Sequence, residues 1–172
     1  PHIIRSSRFS VAILDGNEKE EDLQKLSNDI FMYYGLGCRS VSKIYLPKDY
    51  DLDILFKQVY SWKDIMNNSS YYNNYTYNKT IYLMSEEKFS DNGFLILKES
   101  TEIGSPIGAV FFEYYENDNT VIKSLKKYSE KIQCIVGKNI VENSVEFGNT
   151  QRPSLDDFAD KINTLDFLLK LS

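Results

Sequence analysis

The chain has 172 residues, of which 42% are apolar, and a formal net charge of -5 at pH 7. This length and apolar content predict a single globular domain over residues 1–172 with a sizeable core. The acidic balance, without a basic stripe, disfavours nucleic acid as a partner. No apolar run approaches the roughly 18 residues that cross a bilayer and no signal peptide opens the chain, so we expect no membrane span and a cytoplasmic location.

The first half of the chain alternates between predicted strands and predicted helices. Apolar runs that end at Asp15 and at Pro47 are typical of buried strands, and apolar residues at helical spacing follow each of them. This alternation predicts an α/β fold with a mainly parallel sheet flanked by helices. The predicted elements are a strand over 9–14, a helix that Asn17 caps and that ends at Gly35, a strand over 41–46, and a helix that Asp51 caps and that carries apolar residues from Leu52 to Trp62.

The second half contains one tract without a helical period. Residues 67–78 are polar and rich in tyrosine, and we interpret them as a long surface loop or lid. The sequence Asp-Asn-Gly at 91–93 predicts a turn, and Ser154 with Asp157 three residues later resembles the cap of a last helix. The other predicted elements are strands over 80–84, 94–97, 107–112 and 132–136, a helix over 119–128, and a last helix whose apolar stripe is Leu155, Phe158, Ile162, Leu165 and Leu169.

Cys38 lies in a glycine-rich stretch between a predicted helix and a predicted strand. We expect its thiol to be presented at a turn, because Gly35 and Gly37 can adopt positive φ and bring backbone amides close to the sulfur and to an oxyanion beside it. Arg39 would add a cationic neighbour. An isolated cysteine is also a common core filler, which is our interpretation of Cys134 inside an apolar strand. We expect both cysteines to be reduced.

The spacing of Phe31, Gly35 and Cys38 resembles the cysteine motif of the aldehyde dehydrogenase superfamily. Leu36 and Arg39 depart from the pattern of its hydrolytic members. The chain is more similar to the bacterial acyl-CoA reductase family, to which the luminescence fatty-acid reductase belongs, and the resemblance covers nearly the whole chain. The motifs that carry it are the segment 8–16, Gly-Leu-Gly-Cys-Arg-Ser-Val-Ser-Lys over 35–43, Phe-Gly-Asn-Thr-Gln-Arg-Pro over 147–153, and Asp-Asp-Phe-Ala-Asp over 156–160.

This resemblance implies an aldehyde-dehydrogenase-like catalytic domain and a fatty acyl reductase activity. Cys38 would attack the carbonyl of an activated acyl donor such as a fatty acyl-CoA, and NADPH would reduce the acyl-enzyme to a fatty aldehyde. Glu102, in a segment similar to the Glu-x-x-Gly-Pro of the superfamily, would hold the nicotinamide ribose. An NADP-binding domain would lie upstream of this C-terminal catalytic segment, which would have no turnover by itself. A homo-oligomer is left open.

Two alternatives remain: a cysteine hydrolase of the thioesterase or amidase kind, and a non-catalytic binding domain in which the turn is structural. A hydrolase needs a positioned base to activate water. Residues 2–4 contain no carboxylate where the hydrolytic relatives carry a glutamate, and the single histidine, His2, lies near the terminus. One histidine and two separated cysteines do not give the ligand spacing of a metal site, so we expect none.

Overall fold

The computed structural model describes residues 2–137, 141 and 144–171, which form a six-stranded sheet with helices on both faces. The strands lie in the order β3-β4-β5-β2-β1-β6, and every neighbouring pair is parallel except β3 with β4. The predicted α/β class with a mainly parallel sheet is confirmed. The elements are β1 (Phe9–Ile13), α1 (Glu20–Phe31), β2 (Val41–Pro47), α2 (Leu52–Val59), α3 (Ser69–Met84), β3 (Ser90–Asp91), β4 (Ile96–Glu99), β5 (Ala109–Tyr115), α4 (Asp118–Lys127), β6 (Ile132–Val136) and α5 (Thr164–Leu169), with 3₁₀ turns over Met32–Gly35, Tyr60–Asn67 and Ala159–Lys161.

The two faces of the sheet are covered differently. Side chains alternate along a strand, so Ala12 and Leu14 face one side while Val11 and Ile13 face the other. The first side packs against α1, α2 and α3 in the larger of the two apolar clusters. The second side packs against α4 and against the connection between β4 and β5, which contributes Ile103. The result is a three-layer arrangement with the sheet in the middle.

Parallel pairing places the amino ends of five strands at one edge of the sheet, which we call the amino edge. The opposite edge, where the same strands end, is the carboxyl edge. Ser10 of β1 pairs with Val41, the first residue of β2, and Ile96 of β4 pairs with Ala109, the first residue of β5. Loops that precede β2 and β5 therefore meet at the amino edge.

The tyrosine-rich tract is helical, so the predictions of a loop over 67–78 and of a strand over 80–84 are both wrong. Ser69–Met84 form α3, and the Asn68 side chain caps its first turn by accepting from the Tyr71 backbone N–H. Tyr71, Tyr75 and Tyr82 share one face of the helix and are buried against the sheet. The tyrosine rings supply the apolar surface of α3. The helical period of this segment is therefore not visible when tyrosine is counted as a polar residue.

The C-terminal helix predicted from Ser154 is also wrong over most of its length. Only Thr164–Leu169 is α-helical, and Leu155, predicted to be in the apolar stripe, is fully exposed. Asp160 adopts a φ of +58°, which a helix does not allow, and its carboxylate pairs with Arg5 at 2.7 Å and with Arg8 at 3.3 Å. These long-range ion pairs hold the segment in a conformation that local spacing does not reveal.

The remaining elements agree with the predictions apart from their ends. α1 begins after Lys19 rather than after Asn17 and ends at Phe31 rather than at Gly35, and the predicted strands over 94–97 and 107–112 each begin two residues later, as β4 and β5. β6 matches its prediction, and the turn at 91–93 connects β3 to the strand antiparallel to it. Within the described residues no helix combines the length and the apolar character needed to cross a bilayer.

Candidate functional site

Cys38 lies at the amino edge, in a tight turn immediately before β2. The Ser40 backbone N–H donates to the Gly37 carbonyl at 2.9 Å and closes a four-residue turn, the Cys38 turn, over 37–40. The Cys38 side chain is exposed and its thiol is free. The closing bond uses the amide of the fourth residue, and in the described chain the amides of Cys38 and Arg39 make no backbone hydrogen bond.

The approach to this turn is unusual because three consecutive residues have left-handed backbone conformations. Tyr33, Tyr34 and Gly35 have φ values of 56°, 60° and 72°. Such values cost a tyrosine about 1 kcal/mol each, and they reverse the chain directly after α1. The expectation of positive φ holds for Gly35 but not for Gly37, whose φ is not in the left-handed region.

The Ser10 hydroxyl fixes the Cys38 turn to the sheet. This fully buried side chain donates to the Cys38 carbonyl at 2.9 Å and accepts from the Cys134 backbone N–H at 3.2 Å. One hydroxyl on β1 thus joins the turn before β2 to the strand β6 on the other side. Since a buried hydroxyl that loses its partners costs about 1–3 kcal/mol, this bridge resists displacement of the turn.

Arg39 does not serve as a free cation beside Cys38. Its guanidinium pairs with Asp157 at 2.8 Å and donates to the Cys134 sulfur at 3.2 Å and to the Thr150 carbonyl at 3.4 Å. Burial raises the pKa of the Cys134 thiol, and the charge of Arg39 offsets only part of this effect. Cys134 is buried in β6 as predicted, and it stays a protonated core thiol.

A segment near the C-terminus completes the surroundings of the Cys38 turn. Residues 147–151, which we call the anchor segment, lie against α1 because the buried Asp29 carboxylate accepts hydrogen bonds from Gly148 N–H at 2.6 Å, Thr150 N–H at 3.1 Å and the Thr150 hydroxyl at 2.8 Å. Burial raises the pKa of the Asp29 carboxyl, and the three donors offset part of that rise. The Gln151 side-chain amide reaches the Ser40 hydroxyl at 3.3 Å.

Sequence analysis assigned no role to Asp29. A signal was present, because Asp29 lies between Leu26 and Ile30 on the buried face of an amphipathic helix. An acidic residue at such a position needs hydrogen-bond donors. The anchor segment was noted only as a motif shared with a family, and the sequence does not say that it meets α1.

Glu102 lies in the connection between β4 and β5 with its side chain exposed. Its neighbours tie this connection to the amino edge: the Ile103 carbonyl accepts from the Ser42 hydroxyl at 3.1 Å, and Gly104 packs so closely on Phe9 that a Cβ atom there would lie 2.2 Å from the ring. The two predicted site residues, Cys38 and Glu102, are thus in loops that converge on the same edge of the sheet.

A cleft lies between these two loops. Tyr34 and Gly35 line one wall and residues 105–110 line the other, with Tyr71 of α3 below. Its volume is about 20 Å³, which is enough for about one water molecule. A fatty chain does not fit into it.

The loop after β1, at the carboxyl edge, does not fit the phosphate groups of a dinucleotide. In open α/β sheets the loops after the strands usually receive phosphate groups. Here the Asp15 and Gly16 backbone N–H groups after β1 donate to the carboxylate of Glu18 at 2.5 and 3.1 Å, so a side chain of the same loop already occupies them. Glu102 is an exposed carboxylate, whereas we expect the acceptor of the ribose hydroxyls to be buried, and the amides of the loop after β1 are not free to accompany it with a phosphate site.

Groups for other chemistry are sparse in the described part of the chain. His2 is exposed and lies seven residues before β1. No group of three or more His, Cys, Asp or Glu side chains among the described residues is arranged to hold a metal ion.

Comparison with known proteins gives a weak structural likeness. No family model and no curated protein matches the chain. Among solved structures, it is similar to an NAD-dependent aldehyde dehydrogenase from Sinorhizobium meliloti, with 7% sequence identity and a TM-score of 0.49. The match covers 76% of this chain and 32% of that one, so this chain spans about a third of the length of that protein. A likeness of this degree carries no conclusion about activity.

Proposed function

We propose that this chain is the catalytic segment of an acyl-CoA reductase and that Cys38 carries the acyl group. The observation that carries the proposal is the exposed Cys38 thiol on a closed turn in which the amides of Cys38 and Arg39 make no backbone hydrogen bond in the described chain. A nucleophile that meets a bulky activated donor must be accessible, and a thiol is the side chain best suited to accept an acyl group. The motifs that resemble the acyl-CoA reductase family support the same residue independently.

The first step is transfer of the acyl group to sulfur. The Cys38 thiol loses its proton and the thiolate attacks the carbonyl carbon of the donor thioester, forming a new C–S bond and an oxyanion. The backbone amides of Cys38 and Arg39 are the candidates to hold this oxyanion. The C–S bond to the donor then breaks, and the donor leaves as a thiolate that takes up a proton.

The acyl chain would lie on the surface before the turn, because the neighbouring cleft is too small to hold it. Tyr33, Tyr34 and Leu36 directly precede Cys38, with exposed fractions of 64%, 43% and 68%. Exposed apolar side chains in such a group favour contact with an apolar ligand. The proposed substrate class is therefore a fatty acyl group rather than a small polar one.

Reduction rather than hydrolysis is favoured by the charges around the turn. The Asp157 carboxylate pairs with Arg39 at 2.8 Å, so it is not free to act as the base that activates water. NADPH, when bound, would supply the hydride that converts the acyl thioester to an aldehyde. Glu102 would accept from its ribose hydroxyls, and the rest of the cofactor would be held outside the described residues.

The test is to incubate the full-length protein with a long-chain acyl-CoA, with and without NADPH, and to record the protein mass and the products. We expect an acyl adduct on Cys38 without NADPH, and fatty aldehyde with it. Cys38→Ala should abolish the adduct, whereas Cys134→Ser, the matched control at a buried cysteine, should retain it.

Each alternative has its own outcome. Free fatty acid released without NADPH would identify a cysteine hydrolase. An unmodified protein that still binds acyl-CoA would identify a non-catalytic binding domain. An adduct that survives Cys38→Ala would refute Cys38 as the nucleophile.

A further inference from the structure

The anchor segment has an uncommon attachment to the body of the fold. Asp29 is 1% exposed and Thr150 is 0% exposed, so their hydrogen bonds are shielded from water. The carboxylate accepts three donors from two residues of one short segment, 119 and 121 positions along the chain. Bonds of this kind to a charged acceptor are stronger than neutral ones, particularly where water is excluded.

The same segment also contacts the Cys38 turn on its other side. Gln151 donates to the Ser40 hydroxyl, and the Thr150 carbonyl accepts from Arg39, so both the last and the third residue of the turn are held. Through Arg39 the turn is also tied to Cys134 and Asp157. A continuous path of hydrogen bonds therefore runs from α1 through the anchor segment to the residues that flank Cys38.

We propose that Asp29 and Thr150 are positioning residues for the Cys38 turn: they hold the anchor segment so that the amides of Cys38 and Arg39 point at the oxygen of the incoming acyl group. Neither residue touches the substrate. The inference rests on the proposed function, since it assigns a role in acyl transfer to Cys38.

If Asp29 and Thr150 position the turn, a change in the anchor segment should affect two reactions of the Cys38 thiol differently. Acyl transfer forms an oxyanion, so its rate depends on where the turn amides point. Alkylation by iodoacetamide is a displacement at a saturated carbon and forms no oxyanion, so its rate depends on exposure and ionisation of the thiol. Disturbing the anchor segment should slow the first reaction and spare the second.

The experiment uses three variants of the full-length protein. Thr150→Val keeps the side-chain shape and removes the hydroxyl that donates to Asp29, and Thr150→Ser restores that hydroxyl. Ser124→Ala is the matched control, because it removes a hydroxyl hydrogen bond, to Tyr45 at 2.8 Å, on the opposite face of the sheet. For each variant we would measure the rate of acyl adduct formation from a long-chain acyl-CoA and the rate of Cys38 alkylation by iodoacetamide.

We expect Thr150→Val to slow acylation about tenfold while alkylation changes less than about twofold. Thr150→Ser should recover most of the acylation rate, and Ser124→Ala should leave both rates unchanged. Asp29→Asn is an additional variant that disturbs the same hydrogen bonds, in case Thr150→Val does not fold. It keeps one acceptor oxygen but places an N–H₂ group against the donors of the anchor segment, and it should show the same split.

The outcomes separate the two proposals. Unchanged acylation in Thr150→Val and Asp29→Asn, with no adduct in Cys38→Ala, would overturn the positioning role and leave the proposed function intact. Equal losses in acylation and alkylation would overturn it as well, because they indicate general disruption. Acylation that persists in Cys38→Ala would overturn the proposed function, and the positioning role with it.

Discussion

The two edges of the sheet differ in what their loops do with exposed backbone groups. At the carboxyl edge, the loop after β1 uses the carboxylate of Glu18 to satisfy its own amides. At the amino edge, the Cys38 turn exposes a thiol, and the amides of Cys38 and Arg39 make no backbone hydrogen bond in the described chain. α/β proteins usually bind ligands at the carboxyl edge. Here the loop after β1 is closed by its own Glu18 side chain, and the proposed acyl transfer lies at the amino edge.

The largest loss of stability is expected when one glycine at each edge of the sheet is replaced by alanine. Gly108, at the amino edge, has a φ of +82°, and a Cβ atom there would lie 2.8 Å from the Tyr75 backbone; Gly16, at the carboxyl edge, has a φ of +85°, and its Cβ would lie 3.3 Å from the Pro47 side chain. Gly108→Ala should lower the free energy of unfolding by about 3 kcal/mol and Gly16→Ala by about 1 kcal/mol, as measured by urea denaturation.

This pair sharpens the comparison because the backbone strain is similar and the packing differs. The backbone of α3 packs against Gly108 in the loop before β5, so a Cβ atom at position 108 has no room. The Cβ atom at position 16 would meet only the Pro47 side chain, which can shift. Equal costs would contradict close packing of α3 at the amino edge.

A smaller loss of stability is expected when either of two buried tyrosine hydroxyls, one near each edge of the sheet, is removed. Tyr71 donates to the Phe94 carbonyl at 2.9 Å near the amino edge, and Tyr115 donates to the Leu14 carbonyl at 2.7 Å at the carboxyl edge. Tyr71→Phe and Tyr115→Phe should each cost about 1 kcal/mol in the free energy of unfolding, because each leaves a buried carbonyl without its donor. Tyr72→Phe is the control, since Tyr72 is 49% exposed.

Similar losses for both tyrosines would mean that the edges are equally well packed and differ only in the groups they expose. A negligible loss of unfolding free energy for Tyr115→Phe would instead indicate that the carboxyl edge is loosely packed. The contrast between a closed carboxyl edge and an amino edge that carries Cys38 would then be wrong.

The smallest effect concerns the pH dependence of stability at the carboxyl edge. Burial raises the pKa of Glu18 above its ordinary value of 4.5, the charge of Asp15 adds to the rise, and the Asp15 amide bond offsets part of it. A raised pKa in the folded state gives stability that is complete below the unfolded pKa and is lost as the pH rises through the folded pKa. Glu18→Gln removes this contribution, so its deficit relative to the wild type should be larger at about pH 4 than at about pH 7.

Because Glu18 is partly exposed, the change in that deficit should be only a few tenths of a kcal/mol, read from urea midpoints at the two pH values. A deficit that grows with pH would show that the loop amides stabilise a negative charge. That result would identify the loop after β1 as an anion-binding site and would contradict the view that only the amino edge is suited to bind a ligand.

Regular elements with a clear apolar period could be predicted from the sequence. β6 matches its predicted bounds, β2 is one residue longer at its end, and α4 is shifted by one residue at both ends. The failures have identifiable causes. α3 buries tyrosine rings and therefore lacks a conventional apolar stripe, and the segment from Ser154 to Asp160 is held by ion pairs with Arg5 and Arg8, more than 150 positions away.

The candidate site also has features that local sequence predicts and features that depend on contacts between distant residues. Local sequence was enough to predict an exposed Cys38 and a buried Cys134, because a glycine-rich turn and an apolar strand are local features. It did not reveal the partners of Arg39, because Asp157 and Thr150 are over 100 positions away. It also gave no role to Asp29, since the donors of the anchor segment meet that carboxylate only in the folded chain.

By itself, the sequence determined the α/β class and the exposed position of Cys38, because apolar periodicity and glycine act over a few residues. Only the tertiary structure decided that the loops before β2 and β5 share one edge with the anchor segment, and that Arg39 is neutralised by Asp157. These contacts join residues that are distant in the chain, and parallel pairing of the strands brings them together. The surroundings of the thiol therefore follow from the topology of the sheet, whereas the thiol itself follows from the local sequence.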